Sequence, residues 1–254
     1  MNRQPGSERL QAGKNKKGKI PKPRRTPVAI PNTVQAMPVQ IGGATLVPHT
    51  VLDAISVTNS FFVVQCLEPL EIFTGIETSN RYIVQDMFLR PLLYCNEKSG
   101  FLSRQCCGNG RSFVMEMRDI YGAPFMTAKR QQDICGCSDT LETAFMGSQI
   151  GVIQKECCDG QFSVSAAGCN QPIKVTSPSC CSFCCNGTKV FPVHTLGGGR
   201  LGDIVRLYPG FLQEFFTDAD SYLVHFPANM PPIFKLLLIS AVFLIDFTYF
   251  EEDE

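Results

Sequence analysis

The sequence has no tryptophan and only three histidines, His49, His194 and His225, among 254 residues. The histidines lie far apart, and none has a neighbouring acid or nucleophile in a known catalytic pattern. A glycine-rich stretch at 197–202 lacks the Lys-Ser/Thr pair of a phosphate-binding loop. We therefore expect a protein that is not an enzyme.

The N-terminal segment also lacks the apolar core of a secretory signal, so we do not expect secretion through such a signal. The chain nevertheless has 13 cysteines, most of them in tight clusters. Without secretion, this count favours reduced thiols, lipidated thiols or a metal site over a disulfide framework. Hydrophobic residues make up 44% of the chain, which is enough for a sizeable core.

The net charge of zero hides an uneven distribution of charge. Nine lysines and arginines but one acid, Glu8, lie within residues 1–31. Residues 1–45 therefore read as a disordered, basic, proline-containing tail, and residues 46–254 as the folded domain. Such a tail is most often simply solvated, and one functional interpretation is attraction to anionic lipids, at about 1 kcal/mol for each charge near the surface. A nuclear address or a contact with nucleic acid is the alternative, although we consider nucleic acid the weaker candidate.

Residues 61–193 show short apolar segments of period two, separated by turn signals, which predicts an antiparallel β meander or barrel. The predicted strands lie near residues 61–66, 82–84, 92–94, 113–117, 125 onward, 150–156, 162–165, 173–176 and 188–193. A short helix is predicted at 211–216.

The longest apolar run, residues 233–250, holds two charges, Lys235 and Asp246. Eighteen helical residues measure roughly 27 Å, near the lower limit for crossing a bilayer, and Pro231-Pro232 suits a helix start. One interpretation is a type II span, in which Lys235 reaches the interface. The preceding strands favour the other interpretation, a core helix inside a barrel, in which Asp246 needs an internal hydrogen-bond partner.

Several stretches in the same order resemble the phospholipid scramblase family. They are Leu70–Tyr82, Cys106-Cys107-Gly108 followed by Phe113 and Arg118-Asp119, Phe216–Ser221, and Phe243-Leu244-Ile245-Asp246-Phe247. The similarity covers most of residues 60–250. It implies a mainly β fold, an antiparallel tubby-like β-barrel closed around the C-terminal hydrophobic helix.

The resemblance also implies a calcium segment at residues 218–229. Its candidate ligands are Asp218, Asp220, Tyr222, Val224, Phe226 and Asn229. Few of these side chains offer carboxylates, so binding is expected to be weak, on the order of 0.1–1 mM. Taken alone, the residues favour a turn at 218–220 followed by a strand with alternating faces, and only the resemblance makes the calcium interpretation equally good.

The clustered cysteines admit several interpretations. The family implies palmitoylation, and the lipidation candidates are Cys135, Cys137, Cys180, Cys181, Cys184 and Cys185. Packing of small buried thiols is an equally good interpretation. A zinc site ranks lower because one CxxC supplies only half of a tetrahedral set, and thioredoxin-like redox chemistry ranks lowest.

As a function, the resemblance implies ATP-independent, calcium-stimulated, bidirectional movement of phospholipids across a membrane, in particular the plasma membrane. Either a cytoplasmic-face or a single-pass type II location fits. One short helix cannot line a path for headgroups, so this function would require either self-association or thinning of the bilayer by the protein. The alternatives are a membrane-recruited adaptor that binds lipid and protein, with a nuclear role if imported, and a zinc-stabilised interaction domain.

Overall fold

The computed structural model describes residues 50–66, 79–100, 110–131, 139–156, 160–179, 187–207 and 220–250, and the backbone alone at 39–41 and 44–46. The strands in this part of the chain are β1 (Val39–Ile41), β2 (Ala44–Leu46), β3 (Ser60–Gln65), β4 (Arg81–Gln85), β5 (Pro91–Lys98), β6 (Phe113–Asp119), β7 (Pro124–Arg130), β8 (Thr140–Phe145), β9 (Ser148–Lys155), β10 (Gln161–Ala166), β11 (Ile173–Thr176), β12 (Lys189–Thr195), β13 (Arg200–Leu207) and β14 (Ser221–His225). The helices are α1 (Val51–Val57) and α2 (Pro232–Tyr249).

Strands β3 to β14 form a closed barrel in which each strand pairs antiparallel with its neighbour in sequence. The barrel closes where β14 pairs with β3, with Leu223 opposite Phe62. This arrangement confirms the predicted antiparallel barrel around a C-terminal apolar helix. Strands β1 and β2 form a separate hairpin, and the predicted tail boundary at residue 45 lies within it. The helix predicted at 211–216 lies outside the described residues.

Alternation along the strands creates the core. In β6, for example, Phe113, Met115 and Met117 are buried while the residues between them are more exposed. The inward side chains meet α2, whose residues 235–247 are all buried. At Gly151 in β9 the helix approaches the barrel wall, and a Cβ atom there would lie 2.8 Å from a methyl carbon of Leu237.

The meander gives the barrel two different ends. We call one end the turn rim: it holds the turns at 86–90, 120–123, 146–147, 167–172 and 196–199, and α2 begins there. We call the opposite end the cysteine rim: α2 ends there, beside the strand ends Gln65, Lys98, Arg130, Lys155, Thr176 and Leu207. Helix α1 precedes β3 at the turn rim, and its N-cap Thr50 accepts a hydrogen bond from the Asp53 amide.

Candidate functional site

Helix α2 is apolar enough, at a mean hydropathy of 1.7 over 18 residues, to cross a membrane by length and composition. In the folded chain, however, 72% of these residues are buried inside the protein. Aromatic pairs fix the helix against the wall, with Tyr82 and Phe243 at 5.0 Å and Phe113 and Phe247 at 4.1 Å between ring centroids. The core-helix interpretation therefore describes the folded state.

The carboxylate of Asp246 lies inside the barrel, where it accepts hydrogen bonds from two tyrosine hydroxyls. Tyr82 Oη donates to Oδ2 and Tyr222 Oη donates to Oδ1, each at 2.5 Å. These bonds confirm the predicted need for an internal partner. Burial, together with the neighbouring Asp246 charge, raises the pKa of Tyr222 well above its usual value, so this hydroxyl remains a donor.

Burial is the main cause that raises the pKa of Asp246 to about 7, and the charge of Asp220 adds to it. The hydrogen bonds from Tyr222 and Tyr82 act in the opposite direction but are weaker. Between about pH 4 and pH 7 the folded chain therefore holds a proton on Asp246 that the unfolded chain has released. The stability that this proton contributes is complete below about pH 4 and is lost as the pH rises through about 7.

Asp246→Asn should remove this pH dependence, because asparagine resembles the protonated acid and does not titrate. Relative to the unmodified chain, we expect the variant to gain roughly 2–4 kcal/mol of unfolding free energy as the pH rises across that window. Urea unfolding of both proteins across the window measures the difference. Parallel stability profiles would show that Asp246 is not buried as an acid.

Lys235 lies in the first turn of α2, with its side chain fully buried. Its Nζ donates to the carbonyls of Ser56 (2.7 Å), Thr58 (2.8 Å) and Ala228 (3.1 Å), and more weakly to that of Ile55 (3.3 Å). A cation at the carbonyl end of α1 is electrostatically favourable. Lys235 therefore joins α1 to the start of α2, in contrast to the interfacial position expected for a membrane span.

A buried ion pair lies near the other end of the helix. Arg111 Nε donates to Glu97 Oε1 at 2.8 Å, and Nη2 donates to Oε2 at 3.1 Å, with both side chains fully buried. Glu97 also accepts the Asn80 amide, and the guanidinium lies 4.7 Å from the centre of the Phe247 ring. The pair therefore connects β4, β5 and the entry to β6 with the last turns of α2.

The candidate calcium segment begins at the cysteine rim and runs into β14. Asp220 Oδ1 accepts a hydrogen bond from Arg206 Nη2 at 2.5 Å, and Arg206 stacks 4.2 Å from the centre of the Phe250 ring. Tyr222, Val224 and Phe226 are buried in the interior. These positions agree with the alternative interpretation of the segment, a strand with alternating faces.

Strand β14 separates the two ends of this segment. Five strand residues span roughly 17 Å, so Asp220 lies at the cysteine rim and Asn229 lies in a cleft on the turn rim. Asp218 lies outside the described residues. Among the residues that the structure describes, no group of three or more His, Cys, Asp or Glu is placed to hold a metal ion. Calcium binding by this segment stays a prediction.

All six lipidation candidates lie outside the described residues, so their acylation stays a prediction. The strands nevertheless fix where their segments start and end, and every one of these segments leaves from the cysteine rim. Eleven of the 13 cysteines are in connections that leave from this rim. Cys95 is different: it is buried in β5, and burial raises the pKa of its thiol, which suits a packing role.

The partners of the buried charges escaped the sequence analysis because they lie far away along the chain. Tyr82 and Asp246 are 164 residues apart, and Arg206 and Asp220 are on opposite sides of a connection. The sequence did contain one usable signal for these contacts, the position of each tyrosine within its strand. Tyr82 and Tyr222 occupy inward positions of β4 and β14, and a buried tyrosine hydroxyl needs a partner.

Together, the closed meander and the helix that fills it define a class of proteins in which an apolar C-terminal segment completes a β-barrel. The chain belongs to the Scramblase family, whose model matches residues 40–252. It is 31% identical to human phospholipid scramblase 1 over 209 residues, which cover 79% of this chain and 65% of that protein. It is 28% identical to human phospholipid scramblase 2, with 79% of this chain and 70% of that protein covered.

The chain also resembles human phospholipid scramblase family member 5, at 27% identity over 79% of this chain and 77% of that protein. The matched region spans 65% of the length of human and 63% of the length of mouse phospholipid scramblase 1, which is just under two thirds. The comparison with solved structures gave no match.

Proposed function

We propose that this protein moves phospholipids between the leaflets of a membrane, in both directions and without ATP, with calcium as a stimulus. The observation that carries the proposal is the family match over residues 40–252, together with relatives named phospholipid scramblases. The activity is a translocation in which no covalent bond changes. We propose a location at the plasma membrane, on its cytoplasmic face while α2 fills the barrel; a type II arrangement would require α2 to leave the barrel and span the bilayer.

The barrel itself limits how this function can work. Its interior is filled by α2, and Leu237, Leu238 and Ile239 are fully buried there. A phospholipid headgroup therefore has no polar path through the barrel as folded. Translocation requires that the protein thin the bilayer from its surface, or that several copies act together. The proposal includes self-association on the membrane as one of these two routes.

Calcium and acyl chains are proposed to act at the cysteine rim, where both candidate groups begin. Asp220 is already neutralised by Arg206, so an ion there must displace the guanidinium, which suits weak binding. Palmitoyl groups on Cys135, Cys137, Cys180, Cys181, Cys184 and Cys185 would hold the same end near the lipid. The basic tail adds attraction to anionic lipids.

The test is a vesicle assay with the purified full chain and a fluorescent phospholipid that an added reductant bleaches only in the outer leaflet. We expect faster bleaching of the inner pool at millimolar calcium without ATP, and we expect Asp220→Asn to reduce the calcium response. Glu156→Gln, which removes a different ion-paired carboxylate at the same rim, the partner of Lys174, serves as the control. No acceleration at millimolar calcium, with vesicle binding intact, would reject the proposal.

A second candidate function is a membrane-recruited adaptor that binds lipid and protein and that, if imported, acts in the nucleus. The filled barrel favours this candidate, since among the described residues α2 is the one helix long and apolar enough to span a bilayer, and it is occupied as the core. Vesicle binding without translocation in the same assay is the result that supports it.

A further inference from the structure

Exposed apolar side chains are concentrated at the turn rim. The large hydrophobic residues exposed in the described part of the chain are Val57, Met87, Phe88, Tyr121, Met146, Val190 and Leu196. All except Val190 lie at the turn rim, whereas isolated exposed apolar residues usually scatter over a surface. Phe88, Tyr121 and Met146 are the most exposed, at 73%, 79% and 75%.

Two neighbouring hairpins have tips of the same construction. In the first, Asp86 Oδ1 accepts the amides of Phe88 (2.8 Å) and Arg90 (3.0 Å), and Leu89 has a positive φ of 61°. A side chain at such a φ is strained. The loop is therefore held by its aspartate in a shape that projects the Phe88 ring.

The second hairpin repeats this arrangement with different residues. Asp119 Oδ1 accepts the amides of Tyr121 (2.9 Å) and Ala123 (2.8 Å), and Gly122 has a φ of 83°. Each loop thus has an aspartate, then an aromatic residue two positions later, then a residue of positive φ. The same fold of the backbone presents an aromatic ring at both tips.

The third tip uses a strained residue to present an apolar side chain. Met146 and Gly147 connect paired residues Phe145 and Ser148, with φ values of 47° and 82°. Two positive φ values define a type I′ turn, which favours asparagine followed by glycine. Methionine at the first position is less favourable for the backbone, and such strain often marks a functional position.

Arginines lie at the base of both aromatic tips. The Arg90 guanidinium lies 5.1 Å from the centre of the Phe88 ring and pairs with Asp86. Arg118 donates to the Gly122 carbonyl at 3.1 Å and pairs with Glu116 at 3.5 Å, and its side chain is 42% exposed. At the first tip, an aromatic ring above an arginine suits the bilayer interface, where the ring lies among headgroups and the cation meets phosphates.

We propose that the turn rim is a membrane-docking surface that inserts Phe88, Tyr121 and Met146 into the headgroup region of a phospholipid bilayer. The three tips belong to successive hairpins, two strands or roughly 10 Å apart. Separate projecting tips fit between lipid headgroups, whereas a protein partner is usually met by one continuous apolar patch. The proposal rests on the proposed membrane association but not on translocation.

This contact is separate from lipidation, because the turn rim is opposite the cysteine rim. A flat bilayer can touch both rims only when the barrel lies on its side, with strands β4 to β9 facing the lipid. That half of the barrel carries all three tips, and the connection with Cys135 and Cys137 leaves from it, whereas the connection with the other four lipidation candidates leaves from the other half, between β11 and β12. The docking surface is therefore tested with the full chain made without acyl groups.

The absence of tryptophan provides a direct probe, because Phe88→Trp places a single indole at one tip. With vesicles of phosphatidylcholine and phosphatidylserine, we expect a blue shift of its emission and strong quenching by brominated phosphatidylcholine. Val190→Trp, exposed on β12 away from the rim, is the matched control and should show neither effect. Vesicles of phosphatidylcholine alone carry no net charge, so they do not attract the basic tail. We expect insertion of the turn rim to persist on these vesicles.

Loss of function is tested with Met146→Asn, which suits a type I′ turn and should keep or raise the melting temperature. Adding Phe88→Ser and Tyr121→Ser should weaken vesicle binding by about tenfold or more. Quenching of Val190→Trp but not Phe88→Trp, unchanged binding of the triple variant, or no vesicle binding by the chain would each overturn the proposal. If lipid translocation fails while the fluorescence of Phe88→Trp is still quenched, only the proposed function is rejected.

Discussion

A chain that ends at Pro231 is expected to lose the folded barrel altogether. The deleted helix supplies an uninterrupted set of buried residues from Lys235 to Phe247. Inward side chains of the strands, such as Phe61, Met115 and Phe191, pack around it as one core. Without α2 they would line a void far larger than the cavities that single substitutions create, at costs of about 2–5 kcal/mol each.

The truncated chain should therefore show no cooperative transition in thermal or urea unfolding, and its near-ultraviolet circular dichroism should be lost. A chain that ends at Phe250 keeps α2 whole and is the matched control, with unfolding like that of the full chain. If α2 were only a membrane anchor, the chain ending at Pro231 would still unfold cooperatively at the usual midpoint.

Glu97→Leu is expected to lower the free energy of unfolding by about 3–5 kcal/mol, because it removes the carboxylate from a fully buried guanidinium. The Asn80 amide loses its acceptor at the same time. Adding Arg111→Met removes the buried charge as well, and the long apolar side chain can remain against Phe247. The double variant should therefore recover much of the lost stability.

The neighbouring pair Lys98–Glu116 provides the control, since it joins the same two strands at 2.6 Å but is open to solvent, with side chains 62% and 26% exposed. Lys98→Met should change stability by less than about 1 kcal/mol. Equilibrium urea unfolding of the single and double variants gives a double-mutant cycle. Additive effects of Glu97→Leu and Arg111→Met would contradict the interpretation of a coupled buried pair.

The sequence predicted those parts of the fold that local patterns determine. Alternating apolar residues gave β6, and the apolar run after Pro231-Pro232 gave α2 to within one residue. Strand β8 was not predicted because its inward face includes Thr143, which interrupts the alternation of apolar residues. Strand β13 was not predicted because glycine, at Gly202, occupies one of its inward positions. A larger residue does not fit there, since a Cβ would lie 2.0 Å from the His225 carbonyl oxygen.

Helix α1 was also missed, for a different physical reason. It has seven residues, and only Ile55 is fully buried, so it has little amphipathic pattern. Its stability depends on the Thr50 cap and on Lys235, which is 179 residues away from Ser56. Contacts of this kind leave no local signal in the sequence. The candidate calcium residues show the same limit, because spacing alone did not reveal that Asp220 pairs with Arg206.

Helix α2 is the core of the barrel and does not span the bilayer in the folded protein. Hydrogen exchange of the α2 amides, free and on vesicles, tests this most directly. We expect protection as strong as in β3 and β6 in both conditions, with exchange only through global unfolding of the barrel. Rapid exchange of α2 in water while the strands stay protected, with protection appearing only on vesicles, would contradict it.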